Sequence, residues 1–150
     1  MDQTELNDAL VKFSDLGMTK EVAKCLELGA NINVYSNLAL RCTAEKGHTE
    51  TVKLLIENGA DIHIFNGHAL RWAALHGHTK VIELLLKNGA DIHARCDGAL
   101  RFAAERGHTE TVKLLLENGA NVHACGSYAL RRAAKNGYIE TVKLLESYSK

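Results

Sequence analysis

Glycine recurs on a fixed 30-residue grid along this chain of 150 residues, and that spacing constrains the fold more than any other feature. The two glycine series are Gly29, Gly59, Gly89 and Gly119, each followed by alanine, and Gly17, Gly47, Gly77, Gly107 and Gly137. Near-copies fill the intervals: residues 45–60 read EKGHTETVKLLIENGA and residues 105–120 read ERGHTETVKLLLENGA. Self-similarity at a fixed period of this size indicates a repeat array. We therefore predict a single domain, 1–150, of five units at approximately 5–30, 31–60, 61–90, 91–120 and 121–147.

Each unit is predicted to contain two helices and a short connection. The first helix carries the Ala-Leu-Arg segment and ends at the Gly47-type glycine, which takes a left-handed backbone at no steric cost. The second, as in residues 49–58, buries Val52, Leu55 and Ile56 at helical spacing. The connection, as in residues 60–68, predicts an arm or compact turn rather than a third helix. Just before the first helices lie four residues of types that favour the N-cap, namely Asn37, Gly67, Asp97 and Ser127.

The units are expected to stack, because a single helix pair leaves one apolar face uncovered. The alanine pairs at 73–74, 103–104 and 133–134 predict a close approach between successive first helices. Lys24 and Glu146 stand where the inner units have leucine or isoleucine. Terminal repeats need a polar outer surface, so these changes predict capping units and a complete array.

Charge and composition narrow the classes of function. Lys and Arg number 18, as do Asp and Glu, so the formal net charge is zero, which counts against general binding to nucleic acid or anionic membranes. The chain has no run of about 20 apolar residues, and its start, MDQTELNDAL, lacks the basic and apolar regions of a secretory signal. We therefore expect an intracellular, cytoplasmic protein whose four cysteines are reduced thiols.

The repeated frame ALR-x-A-A-x-x-G-H-T-E-T-V-K-L-L-L-E-N-G-A-D-I-H-A resembles the ankyrin repeat over roughly residues 5–147. Two features depart from that family. The Thr-Pro-Leu-His-x-Ala motif is replaced, as at Gly98-Ala99-Leu100-Arg101, and the unit has 30 residues instead of about 33, with the shortening in the connecting finger. This proline-free version resembles the ankyrin arrays of giant amoeba-infecting viruses, which would place the protein in the host-cell cytoplasm.

The resemblance implies an all-α solenoid of stacked helix-turn-helix pairs. It also implies a non-catalytic module that binds a partner protein on a concave surface of first helices and fingers. On this basis we expect a monomer that binds a protein, with no cofactor, nucleic acid or membrane. A further implication is modification by an asparaginyl hydroxylase at Asn33, with His63, His93 and His123 as the equivalents of Asn33 in the other units.

The sequence contains no catalytic motif of the forms GxxxxGK[ST], GxGxxG, HExxH or GxSxG. Zinc needs its ligands within about 2.1 Å of one ion, so histidines at one position of successive units are poorly placed to share a metal. We interpret His63, His93 and His123 as bonding the turn backbone, and His48, His78 and His108 as bonding locally. Stoichiometric zinc in the purified protein would favour a metal-dependent enzyme. Cys96 and Cys125 lie on neighbouring turns, where a disulfide is geometrically possible but disfavoured in a reducing compartment.

An arginine ladder of Arg41, Arg71, Arg101 and Arg131 replaces the family's histidine. A guanidinium can tie turn carbonyls or carboxylates, with Asp61 and Asp91 as plausible partners. The alternative is a basic stripe for an acidic partner or for nucleic acid. Because the ladder repeats regularly, we favour the structural interpretation.

Positions that break the repeat are the candidates for partner binding, because regular positions hold the solenoid together. Several of them carry tryptophan, tyrosine or arginine, the side chains most enriched in interface hot spots. For Trp72 and Phe102, packing between units is an equally good explanation. The candidate residues are Tyr35, Phe65, His68, Trp72, Leu75, His76, Arg95, Phe102, Arg106, Tyr128 and Arg132.

Charge is also uneven along the array. Residues 1–30 hold three basic and six acidic side chains, whereas residues 121–150 hold five basic and two acidic ones. Opposite ends could orient a charged partner in a salt-dependent way or promote head-to-tail contacts between copies. Solvated ends without a role are the favoured interpretation.

Overall fold

A computed structural model describes all 150 residues and contains ten helices and no strand. The helices are α1 Gln3–Asp15, α2 Thr19–Glu27, α3 Val34–Lys46, α4 Thr49–Glu57, α5 Ile64–Leu75, α6 Thr79–Lys87, α7 Ala94–Glu105, α8 Thr109–Glu117, α9 Ala124–Lys135 and α10 Ile139–Tyr148. Odd-numbered helices pack on one another in chain order, and even-numbered helices form a second stack beside them. The predicted all-α solenoid of helix pairs is confirmed.

Repeated apolar positions form one continuous core between the two stacks. Leucines at the same position of four odd-numbered helices are buried, namely Leu10, Leu40, Leu70 and Leu100. The alanine pairs allow close approach as predicted, since Ala73, Ala74, Ala103 and Ala104 have no exposed surface. Ala134 is exposed because no further helix stacks against α9, and Lys24 and Glu146 also face solvent. Burial of small and branched side chains at repeated positions thus holds each unit against the next.

Helices α3, α5, α7 and α9 each begin with a compact turn of three successive residues in the left-handed region, and a kink separates this turn from the regular helix that follows. In the second unit these are Tyr35, Ser36 and Asn37, with φ between 50° and 58°. An N-cap residue normally has an extended backbone, so the predicted capping role of Asn37, Gly67, Asp97 and Ser127 is wrong. Two of these residues instead bond the next unit. The Asn37 side chain donates to the Asp61 carbonyl at 3.3 Å, and Asp97 Oδ1 accepts from the Asn121 backbone N–H at 2.7 Å.

Histidines at the start of the even-numbered helices link neighbouring units. His48, His78 and His108 each place Nε2 2.8–3.1 Å from a carbonyl at the end of the preceding unit's first helix. The expectation that these histidines bond locally is therefore wrong. Their rings lie over the left-handed glycines of the preceding unit, where a Cβ atom on Gly47 would lie 2.5 Å from His78 Nδ1. The glycine at this position therefore both ends a helix and leaves room for a ring.

Cys96 and Cys125 form a disulfide between the turns of neighbouring units, with Cα atoms 6.3 Å apart. Cys25 and Cys42 are free. The expectation of four reduced thiols is therefore wrong for this pair. Stacking of the left-handed turns brings the two cysteines together, although they occupy offset positions of the repeat.

Candidate partner-binding surface

The solvent-facing sides of α3, α5, α7 and α9, with the turns before them, form a continuous surface that we call the inner-helix face. Most of the predicted partner-binding residues lie on it. Along α5, the Trp72 ring stacks between His68 and His76, with ring centroids 5.2 Å and 6.2 Å away. The three residues are one helical turn apart, so the helix itself aligns their rings. His68 and Trp72 are half-buried and His76 is exposed.

Burial and neighbouring positive charges keep the His68 ring uncharged at neutral pH. Burial of the ring, assisted by the charges of Arg41 and Arg71, lowers the pKa of His68 to about 4. His76 continues the row toward His78, whose ring centroid is 6.0 Å away. Burial also lowers the pKa of His78. The half-buried part of the row on α5 is therefore an uncharged aromatic surface at neutral pH, flanked by arginines.

The two turn aromatics, Tyr35 and Phe65, are 51% and 52% exposed. Tyr35 donates its hydroxyl to Asp8 Oδ1 at 2.6 Å, and this hydrogen bond raises the pKa of Tyr35. The Arg41 guanidinium lies 4.9 Å from the centroid of the Phe65 ring. Both rings are thus held by a residue of the preceding unit while one face stays open to solvent.

The arginine ladder alternates between two arrangements. Arg71 donates from Nε and Nη2 to the carbonyls of Asn66 and Phe65, and Arg131 does the same toward Gly126 and Cys125. This confirms the structural interpretation for two of the four arginines. The suggested carboxylate partners are wrong, because Asp61 and Asp91 accept backbone N–H bonds from His63 and His93 at 2.9 Å. Arg41 and Arg101 instead stack on the aromatic rings of Phe65 and Tyr128 in the following unit.

Tyr128 and Arg132 are engaged inside the array. Both contact the Glu105 carboxylate: Arg132 donates through Nε at 3.1 Å and also through Nη2, and the Tyr128 hydroxyl donates at 3.3 Å. The Arg132 hydrogen bonds lower the pKa of Glu105. Two predicted binding residues therefore also fix the last two units together. Sequence reasoning did not select Glu105, because a glutamate at the end of a helix ordinarily faces solvent.

Arg95 and Phe102 line a cleft of about 470 Å³ between the third and fourth units. The other lining residues are Arg71, Cys96, Gly98 and Arg101. Arg106, the remaining predicted residue, is exposed at the end of α7, away from the cleft lining, and Leu75 is half-buried at the end of α5. The structure thus divides most of the predicted residues among three groups: the aromatic row of α5 with the turn aromatics, the arginine-lined cleft, and the Tyr128–Arg132 pair on Glu105, while Arg106 lies apart. Gly98 was missed as a site residue, since a glycine offers no side chain to select.

Two of the three turn histidines bond side chains rather than the predicted turn backbone. His93 Nδ1 lies 3.1 Å from Asp97 Oδ1, and His123 Nδ1 lies 3.3 Å from Ser127 Oγ. The left-handed turn brings the residue four positions later back over the histidine. No group of three or more histidine, cysteine, aspartate or glutamate side chains converges as a metal site would require.

Stacked helix pairs of this kind define a helical-repeat solenoid. The chain belongs to the ankyrin-repeat family: a family model described as "Ankyrin repeats (3 copies)" matches residues 9–96, and one described as "Ankyrin repeats (many copies)" matches residues 100–146. Proteins of this family are generally protein–protein interaction modules and typically non-enzymatic scaffolds. No curated protein matches the chain. None of its helices combines the length and apolar character needed to cross a bilayer.

Proposed function

We propose that this array binds a partner protein through the inner-helix face, with the aromatic row of α5 at the centre of the contact. The row is the observation that carries the proposal. His68, Trp72 and His76 correspond to Leu38, Cys42 and Lys46 one unit earlier and to Gly98, Phe102 and Arg106 one unit later. Three consecutive rings at these positions therefore occur in the central unit alone. Tryptophan, an aromatic ring with a polar edge, is among the side chains most enriched in interface hot spots.

The row is ordered before any partner arrives. His76 Nδ1 lies 3.0 Å from the Trp72 carbonyl, and each ring is braced by the next. Side chains that are already fixed lose little conformational entropy on binding. A surface of this kind suits a folded partner that docks without large rearrangement.

The turn aromatics extend the surface to one side of the row. Tyr35 and Phe65 each present an open face while a neighbouring unit holds the ring. Leu75 adds a half-buried apolar edge at the end of α5. An apolar centre with a polar margin is the composition that protein interfaces favour.

Two of the four ladder arginines donate to turn carbonyls, which weakens the alternative of nucleic-acid binding through the ladder. The 30-residue unit and the absence of proline support a source among giant amoeba-infecting viruses. The partner would then be a host protein.

A second role is supported by the environment of Asn33. Its side chain is exposed and makes no hydrogen bond within the chain, so it is accessible to a modifying enzyme. Incubation with an asparaginyl hydroxylase of the type that modifies ankyrin repeats should add one oxygen atom at Asn33 by peptide mass spectrometry. Unmodified Asn33 under conditions that modify a known ankyrin substrate would contradict this role.

Site-directed photocrosslinking tests the binding proposal. Benzoylphenylalanine is placed at position 76 on the inner-helix face or at position 113, an exposed site on the outer helix α8. We expect one protein from a cell extract to crosslink to position 76 and not to position 113, and the purified protein to reproduce that pattern. Equal crosslinking from both positions, or crosslinking from position 113 alone, would contradict the proposal.

A further inference from the structure

We propose that the cleft at Gly98 binds a carboxylate side chain of the partner, so that the protein recognises an acidic segment. This inference rests on the proposed function and names the chemistry of the partner. The cleft is lined by Arg71, Arg95, Cys96, Gly98, Arg101 and Phe102.

The cleft exists because one unit has glycine where the others have a side chain. Leu38, His68 and Tyr128 occupy the position equivalent to Gly98. A Cβ atom on Gly98 would lie 2.7 Å from Cδ of Arg71, so the glycine leaves the space that the Arg71 side chain crosses. In the following unit, Tyr128 occupies this position and its ring lies against Arg101, with the guanidinium 4.8 Å from the ring centroid.

Positive charge in the cleft has no internal counter-charge. None of the five ion pairs in the protein includes Arg71, Arg95 or Arg101. Burial, with the charges of Arg95 and Arg101, lowers the pKa of Arg71, which shows that the three guanidinium groups act on one another. A carboxylate placed among them would relieve this repulsion.

The nearby carboxylates are already engaged. Asp97 is buried, and its Oδ1 lies 3.1 Å from His93 Nδ1 and accepts from the Asn121 backbone N–H. Glu105 accepts from Arg132 and Tyr128. The acidic group that completes the cleft must therefore come from another molecule.

Donors remain available for such a group. The Arg95 side chain makes no hydrogen bond, and Arg71 leaves Nη1 unused. The planar guanidinium fork matches the two oxygens of a carboxylate. The Phe102 ring supplies an apolar wall for the methylene groups of aspartate or glutamate. A cleft of this size, confined to one unit boundary of a neutral chain, fits a side chain better than a continuous phosphate backbone.

Fluorescence anisotropy with a fluorescein-labelled glutamate-rich peptide tests the inference on the full chain, with the glutamine version of the peptide as the matched probe. We expect the glutamate peptide alone to bind, and to bind more weakly at higher ionic strength. Arg95→Ala should weaken binding about tenfold, the loss expected for one charged hydrogen bond. Lys113→Ala, the same change of charge on the outer helix α8, should leave affinity within about twofold.

Gly98→Tyr provides a second variant. Its side chain must move Arg71 aside, and Tyr128 shows that the next unit accommodates tyrosine at this position with its ring against Arg101. This substitution should fill the cleft and also weaken binding about tenfold. Equal affinity of Arg95→Ala and Lys113→Ala, or no binding by the unmodified protein, would overturn the inference. Tighter binding of oligothymidine than of the peptide would overturn it in favour of nucleic acid. Self-association that Arg95→Ala abolishes, without peptide binding, would overturn it in favour of a second copy. None of these results changes crosslinking from position 76, so the proposed function is tested separately.

Discussion

At the scale of single residues, His68 shows how the array controls protonation on the inner-helix face. Its pKa in the folded state is about 4, whereas an unperturbed histidine titrates near 6.5. The unfolded chain therefore binds more protons between these two values. The contribution of His68 to the free energy of unfolding is therefore fully present above about pH 6.5. It is lost as the pH falls from about 6.5 toward 4.

His68→Leu, which installs the residue found at position 38, should reduce this dependence on pH. Between about pH 7 and pH 5 the unmodified protein should lose roughly 1 kcal/mol more unfolding free energy than the variant, after allowance for the partial exposure of the ring. Urea unfolding at both pH values measures the difference. All other histidines are present in both proteins, so identical losses would contradict the assignment to His68.

At the scale of the element, a glycine and a histidine of neighbouring units determine how the helix pairs stack. His78 bonds the Glu45 carbonyl while its ring lies over Gly47. Gly59 also has a left-handed backbone, but a Cβ atom there would meet nothing within 4 Å. Substitution of Gly59 therefore measures the cost of backbone strain alone. Substitution of Gly47 measures that cost together with the cost of blocking the contact between units.

Gly59→Ala should lose about 1 kcal/mol of unfolding free energy, which is the cost of a left-handed alanine. Gly47→Ala should lose about 3 kcal/mol of unfolding free energy, because its methyl group also pushes the His78 ring away from its contact with the preceding unit. Denaturant unfolding of both variants provides the measurement. Equal losses would show that the histidine rings do not hold the units together.

The positions of the helices could be predicted from the sequence, because apolar spacing and terminal glycines repeat in every unit. Helix α4 runs from Thr49 to Glu57, within one residue of the predicted span. A compact turn was predicted for each connection, but its left-handed conformation was not, since the three successive left-handed residues include Tyr35 and Ser36, types that intrinsically disfavour this conformation. Hydrogen bonds to the next unit, such as that from Asn37 to Asp61, exist only in the stacked array.

At the scale of the whole molecule, each inner unit is stabilised by two neighbours and each outer unit by one. Stability in such arrays is a sum of unit and interface terms, so opening should begin at an end. Helix α10 packs mainly on α8 and α9, and Ile139 at its start is exposed.

Backbone amides of residues 139–150 should therefore exchange with solvent earliest among the helices, and those of residues 79–88 much later. Hydrogen exchange followed by mass spectrometry or NMR resolves the two segments. Equal protection of both segments would contradict unfolding from the C-terminal unit.

Prediction of the candidate site from sequence was partial for a physical reason. Residues that break the repeat, such as Trp72 and Phe65, could be selected because scaffold positions are recognisable by repetition. The cleft could not be predicted from the sequence. It depends on the missing side chain of Gly98 and on arginines from two units that come together only when the units stack. The engagement of Tyr128 and Arg132 by Glu105 likewise depends on contacts between units.

The central claim is that repeated residues maintain the solenoid while residues that break the repeat select the partner. Leu85 is a repeated core residue without exposed surface, so Leu85→Ala should lose roughly 2–5 kcal/mol of stability and leave the affinity of the folded protein unchanged. The combined change Phe65→Ser, Leu75→Lys and His76→Ala should alter stability by only about 0.5 kcal/mol per site.

The most direct test is calorimetric titration of the crosslinked partner into both variants, at a temperature where each is folded. We expect the triple variant to bind more than tenfold more weakly, because central hot spots carry most of the binding energy, and Leu85→Ala to bind like the unmodified protein. Unchanged affinity in a folded triple variant would contradict the claim and place the partner on the outer helices.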